Sequence, residues 1–222
     1  MSDEVIVIAG FSGLGREVLW AARRCQAQTP GWNAQILGYT ERAAPGAGAA
    51  AAGLPYLGLE GPGLFELNPA PTHFICGIGD NRTRREVCLA LEALGLKPIS
   101  VIDPSVIIGP GVTVGAGSYV APGSILSPGS TLGRHALINQ HASIGHDAVL
   151  GDFTQACPGA RVSGWAKVGE GAFLGSNAVV APRISLGPWS SLGACSFARQ
   201  DIPEGVTAVG NPARALPRIS PA

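Results

Sequence analysis

A beat of six residues governs the second half of the chain. Counting in sixes from Ile102 reaches Ile108, Val114, Val120, Leu126, Leu132, Ile138, Ile144, Leu150, Ala156, Val162, Val168, Leu174, Val180, Leu186 and Leu192, and every one except Ala156 is Leu, Ile or Val. The residue after the anchor is glycine at nine of these sixteen positions, and the fourth residue after it is Ala, Ser or Thr at thirteen. An α-helix would scatter anchors of this spacing over three faces. A polygonal coil gathers them: one short strand and one corner per hexad closes a triangle every three hexads, with each turn about 4.8 Å above the last. The anchors then fill a prism, the small residues suit crowded corners, and sixteen hexads predict five turns and one further side. A generic β-rich domain carries turn signals at irregular spacing, whereas this register is unbroken and no external loop interrupts it.

The remaining composition narrows the class. With 15 basic and 15 acidic residues in 222, the chain has no global field for nucleic acid or an anionic membrane. No apolar run approaches the length of a membrane span, and Met1-Ser2-Asp3-Glu4 is acidic where a secretory signal is basic, so a cytoplasmic address is expected. The five cysteines are scattered with no C-x-x-C pair, which argues for packing thiols over a disulfide framework or zinc cluster.

Residues 1–101 read differently. Val5–Ala9 is an apolar run ending in Gly10-Phe11-Ser12-Gly13-Leu14-Gly15, followed by helix-like Arg16–Ala22. A strand, glycine turn and helix in this order set backbone N–H groups and a helix start against phosphate. The spacing G-x-x-G-x-G disfavours a dinucleotide, and a tight turn without ligand is the plain structural alternative. Further strands are expected at Ile36–Tyr39 and Phe74–Gly77, a low-complexity loop at Ala43–Gly53, and a helix from Arg82 to about Leu94. The expected architecture is therefore a small α/β, Rossmann-like parallel-sheet domain over residues 1–101, a coil over 102–203 and a tail over 204–222.

The coil holds three of the four histidines, His135, His141 and His146; His73 precedes a strand of the α/β half. His146 follows the corner glycine Gly145, and Asp147 beside it suits an acceptor that fixes the imidazole tautomer. Eighteen residues on, one coil above, lies Gly164, whose missing side chain leaves room for a bound arm and whose N–H suits a developing oxyanion. The bland alternative for His146 is a solvated corner residue.

The stretch from Asn139 to Phe153 resembles the active-site segment of the bacterial sugar acetyltransferases of the sialic acid O-acetyltransferase group, which includes the N-acetyltransferases of the bacillosamine and perosamine pathways. Gly15-Arg16-Glu17, Ile78-Gly79-Asp80-Asn81, Asp103-Pro104-Ser105 and Gly210-Asn211-Pro212-Ala213-Arg214 extend the likeness over nearly the whole chain. The resemblance implies a left-handed β-helix, acetyl-CoA as co-substrate with no metal, and a homotrimer with the cofactor in the groove between adjacent coils. It assigns His146 as general base, with Asp147 its acidic partner, Asn139 lining the site and the Gly164 amide at the thioester carbonyl. Gln155 aligns with a histidine that contacts acetyl-CoA in a relative. Ser176, Arg183, Arg199 and Arg214 are the further cofactor candidates, the arginines as partners for CoA phosphates. In such relatives the N-terminal domain holds a nucleotide-linked sugar. Gly10, Ser12, Gly13, Glu41, Gly79, Asp80 and Asn81 occupy the matching loops, with His141 as a further substrate candidate. Where some relatives place two aspartates to read uracil, this chain has Tyr39-Thr40-Glu41.

N-acetylation of a nucleotide-linked amino sugar is thus the expected reaction, and O-acetylation of a sialic acid-like or other sugar hydroxyl the alternative. Two other classes use such coils. The H-x4-H pair His141 and His146 matches part of the zinc set of γ-type carbonic anhydrases, although Ser105 to Arg134 contain no third histidine. A non-catalytic trimeric module is the third class.

Overall fold

The computed structural model describes residues 4–42, 53–59, 62–67 and 70–217. The loop expected over Ala43–Gly53, apart from Gly53, lies outside the described residues, as do Met1 to Asp3 and the last five residues of the tail. Four parallel strands, β1 (Val5–Ala9), β2 (Gln35–Thr40), β3 (His73–Cys76) and β4 (Lys97–Pro98), form a sheet in the order β2-β1-β3-β4. Helix α1 (Gly13–Gln28) follows β1 and α2 (Asn81–Ala93) follows β3. All five β1 residues are buried, which explains why this central strand reads as an unbroken apolar run.

From Val101 onward a two-residue strand recurs every six residues up to Phe197–Ala198, one hexad beyond the expected end. Strands eighteen residues apart pair in parallel, as in Ile138 with Ala156 and Ile144 with Val162. Three sheets result. The first face carries the strands at 119, 137, 155, 173 and 191, the second those at 125, 143, 161, 179 and 197, and the third those at 113, 131, 149, 167 and 185. Each anchor is the second residue of its strand and points inward; from Val120 to Leu192 all are buried in one core. The small column is buried with them, Ala136, Ala142, Ala148, Ala160 and Ala166 completely, so its size is set by the width of the prism just inside each corner. Ile108 is 49% exposed because the first coil has no coil beneath it. At the other end a hairpin pairs Ala208 and Val209 antiparallel with Ala215 and Arg214.

The α/β domain sits on the first face, burying Tyr119 and Leu137 in its own core, and grips the two edges that border that face. On one edge α1 holds on through Arg24, which bonds both carboxylate oxygens of Asp103 at 2.6 and 3.1 Å, and through Glu17, which accepts from Gln140 at 2.8 Å. On the other edge α2 holds on through Asn81, whose amide donates to the Gly171 carbonyl at 3.0 Å, and through Arg84. Arg84 is 1% exposed, and no carboxylate among the described residues hydrogen-bonds its guanidinium; Asp80 acts on it only through space. Its guanidinium donates instead to the carbonyls of Ile78 and Gly79 in the α/β domain and of His135, Phe153 and Thr154 in the coil. Five fixed donors meet five carbonyls, the way a buried cation without a counter-ion is made tolerable. Burial still pulls its pKa down to about 10. The remaining edge, which includes corners 145–148, 163–166, 181–184 and 199–202, makes no hydrogen bond or ring contact to the α/β domain among the described residues.

Candidate active site

His146 stands on that open edge. Its corner places Asp147 in left-handed backbone (φ 56°), which turns the two neighbouring side chains to the same side. His146 Nδ1 lies 2.9 Å from Asp147 Oδ2, and both side chains are 51% exposed. A carboxylate only accepts, so this contact puts the proton on Nδ1 and leaves the lone pair on Nε2. Nε2 points up at the next coil: a Cβ added to Gly164 would lie 2.5 Å from it. The space opened by Gly164 is thus filled by the imidazole itself, where the sequence suggested a bound arm. The Gly164 N–H has no backbone acceptor among the described residues and stands beside the ring.

Other candidates share the edge. Arg183 is one coil above Gly164 and Arg199 one coil higher, both exposed. Between His146 and Arg183 stands a residue that the sequence reading passed over. Trp165 meets the imidazole edge-on, with ring centroids 4.3 Å apart at 86°, and carries the Arg183 guanidinium 4.2 Å over its ring. Following the column of Asp147 up in steps of eighteen leads to Trp165 and then Arg183. Base, amide, indole and cations form one ladder over three coils, roughly 14 Å tall.

The other predicted residues lie elsewhere. Asn139 is buried on the α1 edge, its amide donating to the Ala156 carbonyl at 3.2 Å. His141 is exposed on the same edge with its ring over Gly123, one full face away from His146, so the H-x4-H pair is split between two edges. Ser176 is also exposed there. Gln155 is on the first face, 8% exposed, its amide nitrogen 3.7 Å from Cys157 Sγ and its carbonyl oxygen buried without a partner. Arg214 is on the closing hairpin, beside a pocket of about 150 Å³ shared with Ile202 and Val206.

The loops of the α/β domain converge at the carboxyl ends of β1 and β3. Ser12 is the N-cap of α1 but its hydroxyl caps nothing, so the N–H groups of that first turn lack a side-chain acceptor. Gly10 and Gly13 flank it. Glu41 reaches in from the end of β2 and accepts the Phe11 N–H at 2.8 Å. Asp80 caps α2, accepting the Thr83 N–H at 2.8 Å, and that bond holds its carboxyl below the usual range. Of the two helix starts, only that of α1 is open to an anion. Gly79, Asp80 and Asn81 line a cleft of about 220 Å³ with Phe173, Trp189 and Arg82, the last stacked 4.7 Å over the Trp189 ring. Trp189 and Arg82 carry no motif and were not legible as site residues. The domain occupies the first face and the ladder the opposite edge, so one chain does not bring the two halves together.

Known proteins share both halves. Residues 5–91 match the PglD N-terminal domain, and residues 94–122 and 166–194 match the hexapeptide repeat of succinyl-transferase. A search of curated proteins finds no match. The acetyltransferase domain of PglB from Neisseria gonorrhoeae FA1090 superposes with a TM-score of 0.86 at 28% identity, covering 96% of this chain and 100% of that one, and has also been solved in complex with acetyl coenzyme A. PerB from Caulobacter crescentus, solved in complex with CoA and GDP-perosamine, gives 0.86 at 28% identity over 98% of this chain and 99% of that one. WeeI from Acinetobacter baumannii AYE shares the fold, with a TM-score of 0.81 at 24% identity over 96% and 100%. No described helix is long and apolar enough to cross a membrane. With an α/β domain of the PglD type on the first face of an unbroken six-residue coil, this chain is similar over nearly its whole length to the acetyltransferases PglB and PerB.

Proposed function

We propose that the chain transfers acetyl from acetyl-CoA to the amino group of a nucleotide-linked sugar, in a homotrimer whose sites lie between copies. The observation that carries this reading is the open edge: an imidazole with its lone pair free, an unpaired amide beside it, and two cations above. A thioester carbonyl at Nε2 has the Gly164 N–H to receive its developing negative charge. The amine attacks that carbonyl, Nε2 takes the ammonium proton from the tetrahedral intermediate, and the imidazolium, held by Asp147, returns it to the departing thiolate. Arg183 and Arg199 lie farther along the groove, where the phosphates of a CoA run. The acceptor's phosphates suit the uncapped start of α1 by the glycine turn, with its sugar toward the cleft at Asn81.

Two features support assembly between copies. The acceptor loops and the base lie on opposite sides of one prism, and PerB, with 28% identity, is described with both CoA and GDP-perosamine. The test is thiol release from acetyl-CoA across nucleotide-linked 4-amino sugars, free sialic acids and simple amines, for the native chain and His146→Ala. Turnover with the nucleotide-linked amines and a loss of about 10²–10⁴-fold in the variant are expected. Full activity of the variant, or turnover confined to sugar hydroxyls, overturns the assignment.

A further inference from the structure

The turn position of Asp147 recurs on every edge, and what occupies it depends on what covers the edge. Beside α2 it holds Gly117, His135, Phe153, Gly171 and Trp189, all at positive φ, and each of the three non-glycine residues is used to seat the α/β domain. His135 stacks between Phe74 and Phe153, and Trp189 lies under Arg82. On the open edge the same position holds Gly111, Gly129, Asp147, Trp165 and Arg183. Trp165 has no domain over it. It is 44% exposed and at φ 58°, a conformation that costs a bulky side chain and that glycine adopts freely. Two coils below, Gly129 makes the same turn at φ 72°. The fold therefore has no need of an indole here.

What the indole touches is the chemistry. One contact is the His146 imidazole, edge-on at 4.3 Å, and another is the Arg183 guanidinium at 4.2 Å. The imidazole is otherwise held only by Asp147, through a single 2.9 Å bond about which an exposed ring swings. The Arg183 guanidinium makes no hydrogen bond or ion pair among the described residues, so the indole is what orients it.

Resting on the acetyl-transfer reading above, we infer that Trp165 is a positioning residue that joins the two ends of the cofactor groove. It holds the imidazole with Nε2 against the Gly164 amide, and it holds Arg183 where a phosphate of the cofactor passes. Removing it acts on kcat through the base and on the KM for acetyl-CoA through the cation, and leaves the KM of the acceptor alone.

The experiment compares Trp165→Gly, Trp165→Phe, Arg183→Ala and His146→Ala in steady-state kinetics with both substrates, with molecular mass by light scattering. Glycine keeps the turn, as Gly129 does, so the coil is preserved. Trp165→Gly is expected to lower kcat about 10- to 50-fold and to raise the KM for acetyl-CoA several-fold. Trp165→Phe is expected to recover most of kcat, since a ring still meets the imidazole, and Arg183→Ala to change only the KM for acetyl-CoA. In the double variant the KM effects of Trp165→Gly and Arg183→Ala do not add, because both act on one cation. Kinetics of Trp165→Gly within twofold of native, while His146→Ala is inactive, overturn the inference and leave the acetyl-transfer reading standing. An active His146→Ala overturns the reading first. A Trp165→Gly protein that loses activity only because it no longer assembles makes the indole an interface residue, and that too overturns the inference.

Discussion

Two edges of the same coil, written in the same six-residue grammar, have opposite fates. The edge under α2 presents His135, Phe153 and Trp189 to a second domain and closes over a buried arginine. The open edge presents His146, Trp165 and Arg183 to solvent. The backbone turns alike in both, with left-handed residues at matching positions. What differs is whether a second domain packs over the outward groups. Under α2 even atoms without a partner, such as His135 Nδ1 and Thr154 Oγ1, are closed off, whereas on the open edge Nε2 of His146 and the Gly164 N–H lack a partner among the described residues and stay within a ligand's reach. Substitutions on the α2 edge should therefore move stability and spare the chemistry, and substitutions on the open edge should do the reverse.

The strongest attempt to break this contrast is Arg84→Ala. It strips the carbonyls of Ile78, Gly79, His135 and Phe153 of the guanidinium, leaving only that of Thr154 with the Leu137 N–H, and empties the space under α2. A loss of about 3–5 kcal/mol is expected, the cost of leaving buried polar groups unpaired. In a chain of this length that lowers the melting temperature by roughly 10 °C. Calorimetry showing an unchanged melting temperature means that water satisfies those carbonyls and that the α2 edge does not hold the domain.

Much of this was readable before any coordinates. The register from Ile102 to Leu192 located the prism because six divides into a triangle and into nothing helical. Val101-Ile102-Asp103-Pro104 read as the close of the α/β segment and the start of the coil, whose first strand is Val101–Ile102. His146, Asp147 and Gly164 came from the same arithmetic, one coil apart. The seating of the α/β domain was not readable. Arg84 looks like an ordinary polar residue of an amphipathic helix and Asn81 like a residue of the acceptor loop, and only the packed structure reveals that their partners include carbonyls some 50 to 90 residues away. Trp165 was within reach, since it is eighteen residues after Asp147, but an aromatic in a turn reads as packing until its edge is known to be uncovered. The division of the predicted coil residues between two edges, the first face and the closing hairpin was likewise hidden, because a period of eighteen places a residue on an edge without saying which edge the second domain covers.

A pair of glycines sharpens the contrast with one methyl group each. Gly171, on the α2 edge, has φ 63°, and an added Cβ runs into the Trp189 ring. Gly171→Ala should cost about 1–3 kcal/mol of stability, from left-handed backbone and a displaced indole. Gly164, on the open edge, is not in left-handed backbone, and its added Cβ meets only the exposed end of His146, 2.5 Å from Nε2. Gly164→Ala should leave stability within about 1 kcal/mol. It pushes the ring off the amide, and activity should fall about 10- to 100-fold. Chemical denaturation and thiol-release rates on both variants give the answer, and a crossed result, with Gly171→Ala inactive but stable, erases the distinction between the edges.

The mildest test uses pH. His135 is buried against Phe74 and Phe153, with Nε2 2.7 Å from Glu92 Oε1. Burial lowers its pKa, assisted by Arg134 and Arg84, against the opposing pull of Glu92. A histidine whose folded pKa lies below its unfolded value contributes nothing above that unfolded value, near 6.5. As pH falls below it, the unfolded chain takes up a proton that the folded chain resists, and stability declines. Melting temperature should thus fall gently from pH 7 toward pH 5, and His135→Phe should flatten that part of the curve, because a ring still fills the stack but no longer titrates. If His135→Phe keeps the native slope, the buried edge is not where the proton is refused.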